Sequence, residues 1–214
     1  MSATHPIFHL LAGPNGAGKS TLYRALVSNG DIDKTLEFIN ADLYEQRHLQ
    51  HIADLQKRSE AARHWADDRR EALLTAKTSC VSETVFSHES KLALITRAQA
   101  IGFQVVLHVV SVSDPQRLPE RVMQRVREGG HNVPAQRILD RYPRTMANLK
   151  IAVRLADLAF IYDSPDVGQG AHLLVAMCEK EQTSLFVDKP PVWVDLMFQK
   201  KRKIRLAKAT NPGS

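Results

Sequence analysis

Short apolar runs and longer amphipathic stretches alternate along the chain. IFHLLA (7–12) is a continuous apolar run, the pattern of a strand buried on both faces. A glycine-rich turn follows at 13–18, then a helix from about residue 19 to 28. TLEFINAD (35–42) reads as a second short strand ending in a polar cluster. From about 52 to 77, Ala, Leu, Glu and Arg recur with little to break a helix, and Leu55, Ala62, Trp65, Leu73 and Leu74 are the expected inward positions. TSCVSETVFS (78–87) reads as a third strand running into a loop. A helix is expected over 88–101, with Ser87 or Ser90 near its start and Gly102 ending it. FQVVLHVVSV (103–112) is rich in β-branched residues and is the clearest strand. Helices are expected over 115–128, stopped by Gly129-Gly130, and over 134–157, with Tyr142-Pro143 as a point of interruption. LAFIYD (158–163) and HLLVAMCEK (172–180) read as strands, and 192–208 as a last helix behind Pro190-Pro191.

Strands alternating with helices predict an α/β protein with an open, mostly parallel sheet flanked by helices. The domain is expected over 1–190, with a basic helical lid over about 113–145 beside the Gly129-Gly130 hinge. Residues 191–214 would form a C-terminal helix and tail.

Composition adds little to the fold and more to the setting. The chain has 214 residues, 43% apolar and 24% charged, enough for one real core. The net charge of +6 equals the six cations of one C-terminal stretch: Lys200, Lys201, Arg202, Lys203, Arg205 and Lys208. The globular part is therefore near neutral. Nucleic acid is expected to touch the tail if it touches the chain at all, and a solvated helix end explains the same residues. Cys80 and Cys178 form no close pair and no metal spacing, so both are expected as buried, inert thiols in a reduced, cytoplasmic setting. The N-terminus lacks a basic segment before an apolar stretch. Apolar runs fall far short of the roughly 20 residues of a membrane span, so a soluble protein is expected.

The chemistry starts at the first turn. Gly13-Pro14-Asn15-Gly16-Ala17-Gly18-Lys19-Ser20 is a Walker A match between a strand and a helix. Its glycines let the backbone wrap phosphate oxygens, and the N–H groups and helix N-terminus face the anion. Lys19 is expected on the β and γ phosphates, Ser20 on Mg²⁺, and Thr21 near the α phosphate. Asp42 falls where the second strand ends. A carboxylate there suits a general base for an attacking hydroxyl, and equally suits a helix N-cap. Glu83 ends the third strand, as a ligand for acceptor hydroxyls or Mg²⁺-bound water, or as a loop acid. Thr84 and Ser87 are weaker polar candidates. In the lid, Arg121/Arg125 and Arg137/Arg141 share helix faces, and Arg144 follows. Phosphoryl transfer needs cations where oxygens gain charge, so two of these five are expected to act. His131 binds phosphate or shapes its turn. The histidines suggest no metal set, and no structural zinc is expected.

GPNGAGKST, FINAD, SETVFS, GGHNVP followed by RYPR and NL, then ADLAFIYD, together resemble the zeta toxin family of P-loop kinases over residues 7–165. The resemblance implies ATP, Mg²⁺ and transfer of the γ-phosphoryl to a hydroxyl of a UDP-activated amino sugar, as family toxins do to UDP-N-acetylglucosamine. It implies Asp42 as general base, Lys19 as phosphate clamp, Ser20 as Mg²⁺ ligand, Glu83 near the acceptor, and any antitoxin as a separate protein. The chain departs from the family where an arginine precedes a TP turn: alignment on Pro134 puts His131 there. The missing cation would come from Arg125, Arg141 or Arg144. An ATPase module is the second reading, but the chain has neither an LSGGQ signature nor an apolar strand ending in Asp-Glu. A polynucleotide or RNA-end kinase guided by the basic tail is the third.

Overall fold

The computed structural model describes residues 5–127, 133–164, 172–180 and 182–198, and the backbone of 204–206. The chain runs β1 (Ile7–Ala12), α1 (Lys19–Ser28), β2 (Glu37–Ile39), α2 (Ala41–His48), α3 (Leu55–Thr75), β3 (Cys80–Thr84), α4 (Ser90–Ala100) and β4 (Gln104–Ser111). After a 3₁₀ turn at Pro115–Arg117 come α5 (Leu118–Arg127), α6 (Ala135–Leu155), β5 (Leu158–Asp163), β6 (Leu173–Glu179), β7 (Gln182–Leu185), α7 (Val192–Phe198) and β8 (Ile204–Leu206). The strands form one sheet in the order β2-β3-β1-β4-β5-β6-β7-β8. The first five are parallel, β6 and β7 turn antiparallel, and β8 lies parallel to β7. The expected open, mostly parallel α/β sheet is thus the fold observed.

Period-2 alternation in the central strands builds two cores. Phe8, Leu10 and Ala12 of β1 join Leu107 and Val109 of β4, packed with residues of α3, α4, α6 and α7 on one face. Leu11 and Val110 face the other way, with Leu22 and Leu26 of α1 and Leu118 and Val122 of α5. Cys80 and Cys178 are buried free thiols, and burial pushes the Cys80 thiol up to about 11. No helix among the described residues is long and apolar enough to cross a membrane.

Several expectations need correction. Leu55 is 70% exposed, because Asp54 caps α3 through the Gln56 and Lys57 N–H groups and leaves Leu55 in the open first turn. Ala62, Leu73 and Leu74 are buried, and Trp65 packs flat on Tyr44 with ring centroids 3.8 Å apart. α6 continues through Pro143, which stands at an exposed position of the helix and removes one backbone donor from it. The last helix ends at Phe198, and 204–206 is a strand. Strand β2 stops at Ile39, so Asp42 lies inside a helix.

His9 and His108 sit side by side in the sheet, Nδ1 of the first 3.2 Å from Nε2 of the second, with His108 stacked on Phe160. Burial holds His9 at about 4; burial and then the neighbouring His9 hold His108 at about 3. Both are neutral in the fold where an unfolded chain would carry protons. Above about pH 6.5 neither state is charged and stability is unaffected. As pH falls below that toward the folded values, the unfolded state gains protons first and stability drops, by about 1.4 kcal/mol per histidine per pH unit. We expect urea midpoints to fall between pH 7 and pH 5, and His108→Phe to flatten that fall. An unchanged slope in the variant would remove this assignment.

Candidate active site

The parallel strands deliver their C-terminal ends to one rim, where ligands bind in open α/β sheets. The turn after β1 carries the glycine-rich loop. Gly16 has φ +82° and Gly18 has φ +94°, left-handed values that favour glycine. A Cβ at Gly16 would stand 2.6 Å from the Leu118 carbonyl oxygen, and one at Gly18 would stand 2.8 Å from His172 Nε2. The loop therefore packs against α5 on one side and the region beyond β5 on the other. Lys19 opens α1, is 6% exposed, and donates to the Pro14 carbonyl at 3.1 Å.

Glu83, at the end of β3 next to β1, ties the loop to its neighbours. Its Oε2 accepts from Ser20 Oγ at 2.8 Å and from Asn40 Nδ2 at 2.7 Å, and its Oε1 lies 3.6 Å from Lys19 Nζ. Asn40 also caps α2, its Oδ1 accepting from Leu43 N–H at 3.0 Å. The cap is thus Asn40, and Asp42 stands in the first helical turn with its carboxylate free of that task. Asp42 Oδ2 pairs with Arg125 Nη2 of α5 at 3.6 Å.

These groups share a cavity of about 470 Å³. Asn15, Lys19, Asp42, Glu83, Thr84, Ser87, Arg125, Arg141 and Arg144 all line it. Asn15 Oδ1 is buried there without a hydrogen-bond partner. Eight Lys or Arg side chains face the space against four carboxylates, so the cavity favours anions. Gly13, Pro14, Gly16, Ala17 and Gly18 form the loop backbone. Thr21 is exposed on α1, accepts from Arg24 at 3.3 Å, and does not line the cavity. His131 and the Gly129-Gly130 pair lie outside the described residues, as does nearly all of the basic tail. Among the described residues, no cluster of three His, Cys, Asp or Glu could hold a metal.

Sequence reasoning gave no role to Arg70, Asp67, Lys91 or Asn148, and left Phe86 between pocket wall and ordinary core. Arg70, buried on α3, donates to Ser82 Oγ at 3.1 Å and to Asp67 at 2.6 Å, and Lys91 reaches the same Asp67 oxygen at 3.1 Å. Phe86 lines the cavity at φ +64°, a strained value for a bulky residue that costs on the order of 1–3 kcal/mol. Asn148 of α6 holds that turn, its amide donating to the Phe86 carbonyl at 2.9 Å. The Asn-Ala-Asp-Leu stretch, an N-cap signature, was the available signal for Asn40.

Fold and rim together define a P-loop kinase-like protein. The chain belongs to the AAA domain family AAA_33, whose model matches residues 8–147. Among solved structures it is similar to the PezAT chromosomal toxin–antitoxin system of Streptococcus pneumoniae, at 16% identity over 76% of this chain and 69% of that one, TM-score 0.55. It is also similar to the AvrRxo1-ORF1:ORF2 complex, at 16% identity over 90% of this chain and 64% of that one, TM-score 0.67; that complex is known with ATP as well. A third likeness is to the Pnkp1/Rnl/Hen1 RNA repair complex, at 18% identity over 70% and 48%, TM-score 0.53. This chain spans less than two thirds of the AvrRxo1 and RNA-repair chains. At these identities the likeness is one of fold, and it extends the resemblance to zeta-type P-loop kinases from motifs to architecture. No curated protein matches the chain in sequence.

Proposed function

We propose that the protein is an ATP- and Mg²⁺-dependent kinase that transfers the γ-phosphoryl to a hydroxyl of a nucleotide-activated amino sugar of the UDP-N-acetylglucosamine type. One observation carries this reading: a single anion-attracting cavity contains both the P-loop lysine and the Asp42 carboxylate. A phosphotransferase needs a base at the acceptor hydroxyl, and Asp42 offers one in the cavity that holds Lys19.

The residues fit the implied groups. A Ser20 hydroxyl beside the Glu83 carboxylate is a hard oxygen set suited to Mg²⁺ and its bound water. When bound, Mg²⁺ supplies charge neutralisation on the phosphate oxygens. Lys19 and the loop N–H groups hold the phosphates, and Asn15 Oδ1 offers an acceptor to whatever enters. Asp42 takes the proton of the attacking hydroxyl as the new P–O bond forms and the bond from the γ-phosphorus to the β–γ bridging oxygen breaks, releasing ADP. Arg125, Arg141 and Arg144 offset charge on the transferred group. Thr84 and Ser87 meet acceptor hydroxyls. The cytoplasm, which supplies ATP and nucleotide sugars, is the proposed setting, and reduced buried thiols accord with it. The fold shared with a toxin–antitoxin system supports reading the chain as the kinase of such a pair, restrained by a separate antitoxin protein.

The test is a mass spectrum of a cell metabolite extract after incubation with ATP and Mg²⁺, with a 5′-hydroxyl oligonucleotide in parallel. The expected result is one added phosphate on a nucleotide sugar. Free phosphate as the only product, or phosphate on the oligonucleotide alone, would overturn the proposal.

A further inference from the structure

The mechanism gives no task to Arg63 and Arg137, which line the cavity with Arg141 and Arg144. Arg137, Arg141 and Arg144 recur along one face of α6, and Arg63 projects from α3 into the same space. Among the described residues, no carboxylate pairs with any of the three on α6. Arg63 has only a loose contact to Glu60 at 4.0 Å, and its side chain is 53% exposed. Burial, and then the charges of Arg137, Arg63 and Arg144, push the Arg141 guanidinium down from its ordinary value. Arg63, Arg137 and Arg144 line the same cavity as Arg141 and oppose its charge. That arrangement is unfavourable unless an anion joins it.

The P-loop already provides for the phosphates of ATP. Its Gly18 side faces Ser164 and His172, beyond β5. Helix α3 lies on the other flank, packed with α2 and over β2. Arg63 therefore belongs to the acceptor side of the cavity. Guanidinium forks match phosphate oxygens in pairs, which suits a diphosphate better than a single carboxylate.

We propose that Arg63 and Arg137 form a second anion site in this cavity, next to Arg141, one that binds the phosphate or diphosphate of the acceptor and bridges α3 to α6. Calling the ligand an acceptor rests on the kinase reading; the anion site itself does not. Arg63 and Arg137 are then specificity residues: they select an acceptor bearing a phosphate group over a free sugar with the same hydroxyl.

The experiment is calorimetric titration of UDP, with uridine as comparison, into protein saturated with Mg²⁺ and a non-hydrolysable ATP analogue. UDP is expected to bind, more weakly as KCl rises, and uridine far less well. Arg63→Ala and Arg137→Ala are each expected to weaken UDP at least fivefold, and the double variant more than tenfold. Analogue affinity should stay within twofold of wild type; both residues are exposed, and circular dichroism checks that the variants fold. Three results would overturn the site: no UDP binding to the nucleotide-filled wild type, equal UDP binding by the variants, or an equal loss of analogue affinity, which would assign the arginines to ATP. Failure of transfer to every acceptor would instead remove the kinase reading and leave this binding result standing. Equal transfer to an uncharged sugar by wild type and double variant would remove the site and leave the kinase.

Discussion

Lys19→Ala is expected to abolish phosphoryl transfer, lowering kcat/KM by about 10³-fold or more, or ~4 kcal/mol of transition-state stabilisation. At 6% exposure the ammonium sits where water screens it poorly, so its charge acts strongly on a nearby phosphate. It is also held in place: the Pro14 carbonyl accepts from Nζ and Glu83 stands 3.6 Å away, so little ordering remains to be done when nucleotide enters. A competing account makes Lys19 merely the partner that keeps Glu83 tolerable in the interior. That account predicts lost stability more than lost catalysis. Yet Glu83 keeps two donors without Lys19, from Ser20 and Asn40, so the variant should still fold. Thermal melting separates the two. Mg²⁺ and ATP should raise the wild-type melting temperature by binding the native state, and should fail to raise that of the variant. Retained turnover with a lowered melting temperature would leave Lys19 a structural residue.

What was legible in the sequence was local. The Walker A loop is a fixed spacing of glycines between a strand and a helix, and each requirement acts over a few residues. β4 was legible because four valines and a leucine among its eight residues leave few alternatives, and β5 because Leu-Ala-Phe-Ile-Tyr is a short unbroken apolar run. β7 was missed because Gln-Thr-Ser-Leu has no strong strand pattern; it forms where β6 offers an edge. α2 was missed because Asn-Ala-Asp was read as the polar end of a strand carried on to residue 42, which hid the Asn40 cap that opens the helix. Glu83 could be read as an acceptor ligand or as a partner of bound metal, and spacing could not choose. Its contact with Ser20 joins positions 63 apart, made neighbours only by the pairing of β1 with β3. The meeting of Arg63 with the α6 arginines was hidden for the same reason. Each helix showed an ordinary charged face, and only packing turned the two faces toward one cavity.

Asp42→Asn is expected to lower kcat by 10²- to 10⁴-fold, the usual range for a lost general base, with nucleotide affinity within about twofold of wild type. The substitution keeps size and helix geometry and removes only the ability to take a proton. The rival role for this acid has become weaker on structural grounds. Asn40, not Asp42, accepts from the Leu43 N–H, so Asp42 is not needed to cap α2. As a first-turn acid it still interacts with the helix dipole, worth about 0.3–1 kcal/mol of stability, too small to explain a large fall in kcat. The pairing with Arg125 at 3.6 Å raises a subtler alternative, in which Asp42 acts by positioning that guanidinium. Asp42→Glu distinguishes them. A longer carboxylate can still accept a proton and should restore part of the rate if Asp42 is the base. Arg125→Ala should then lower the rate by its own factor in the Asp42→Asn background. If Asp42→Asn turns over like wild type, Asp42 is not catalytic, and the cavity is left without the base that transfer to an acceptor hydroxyl requires.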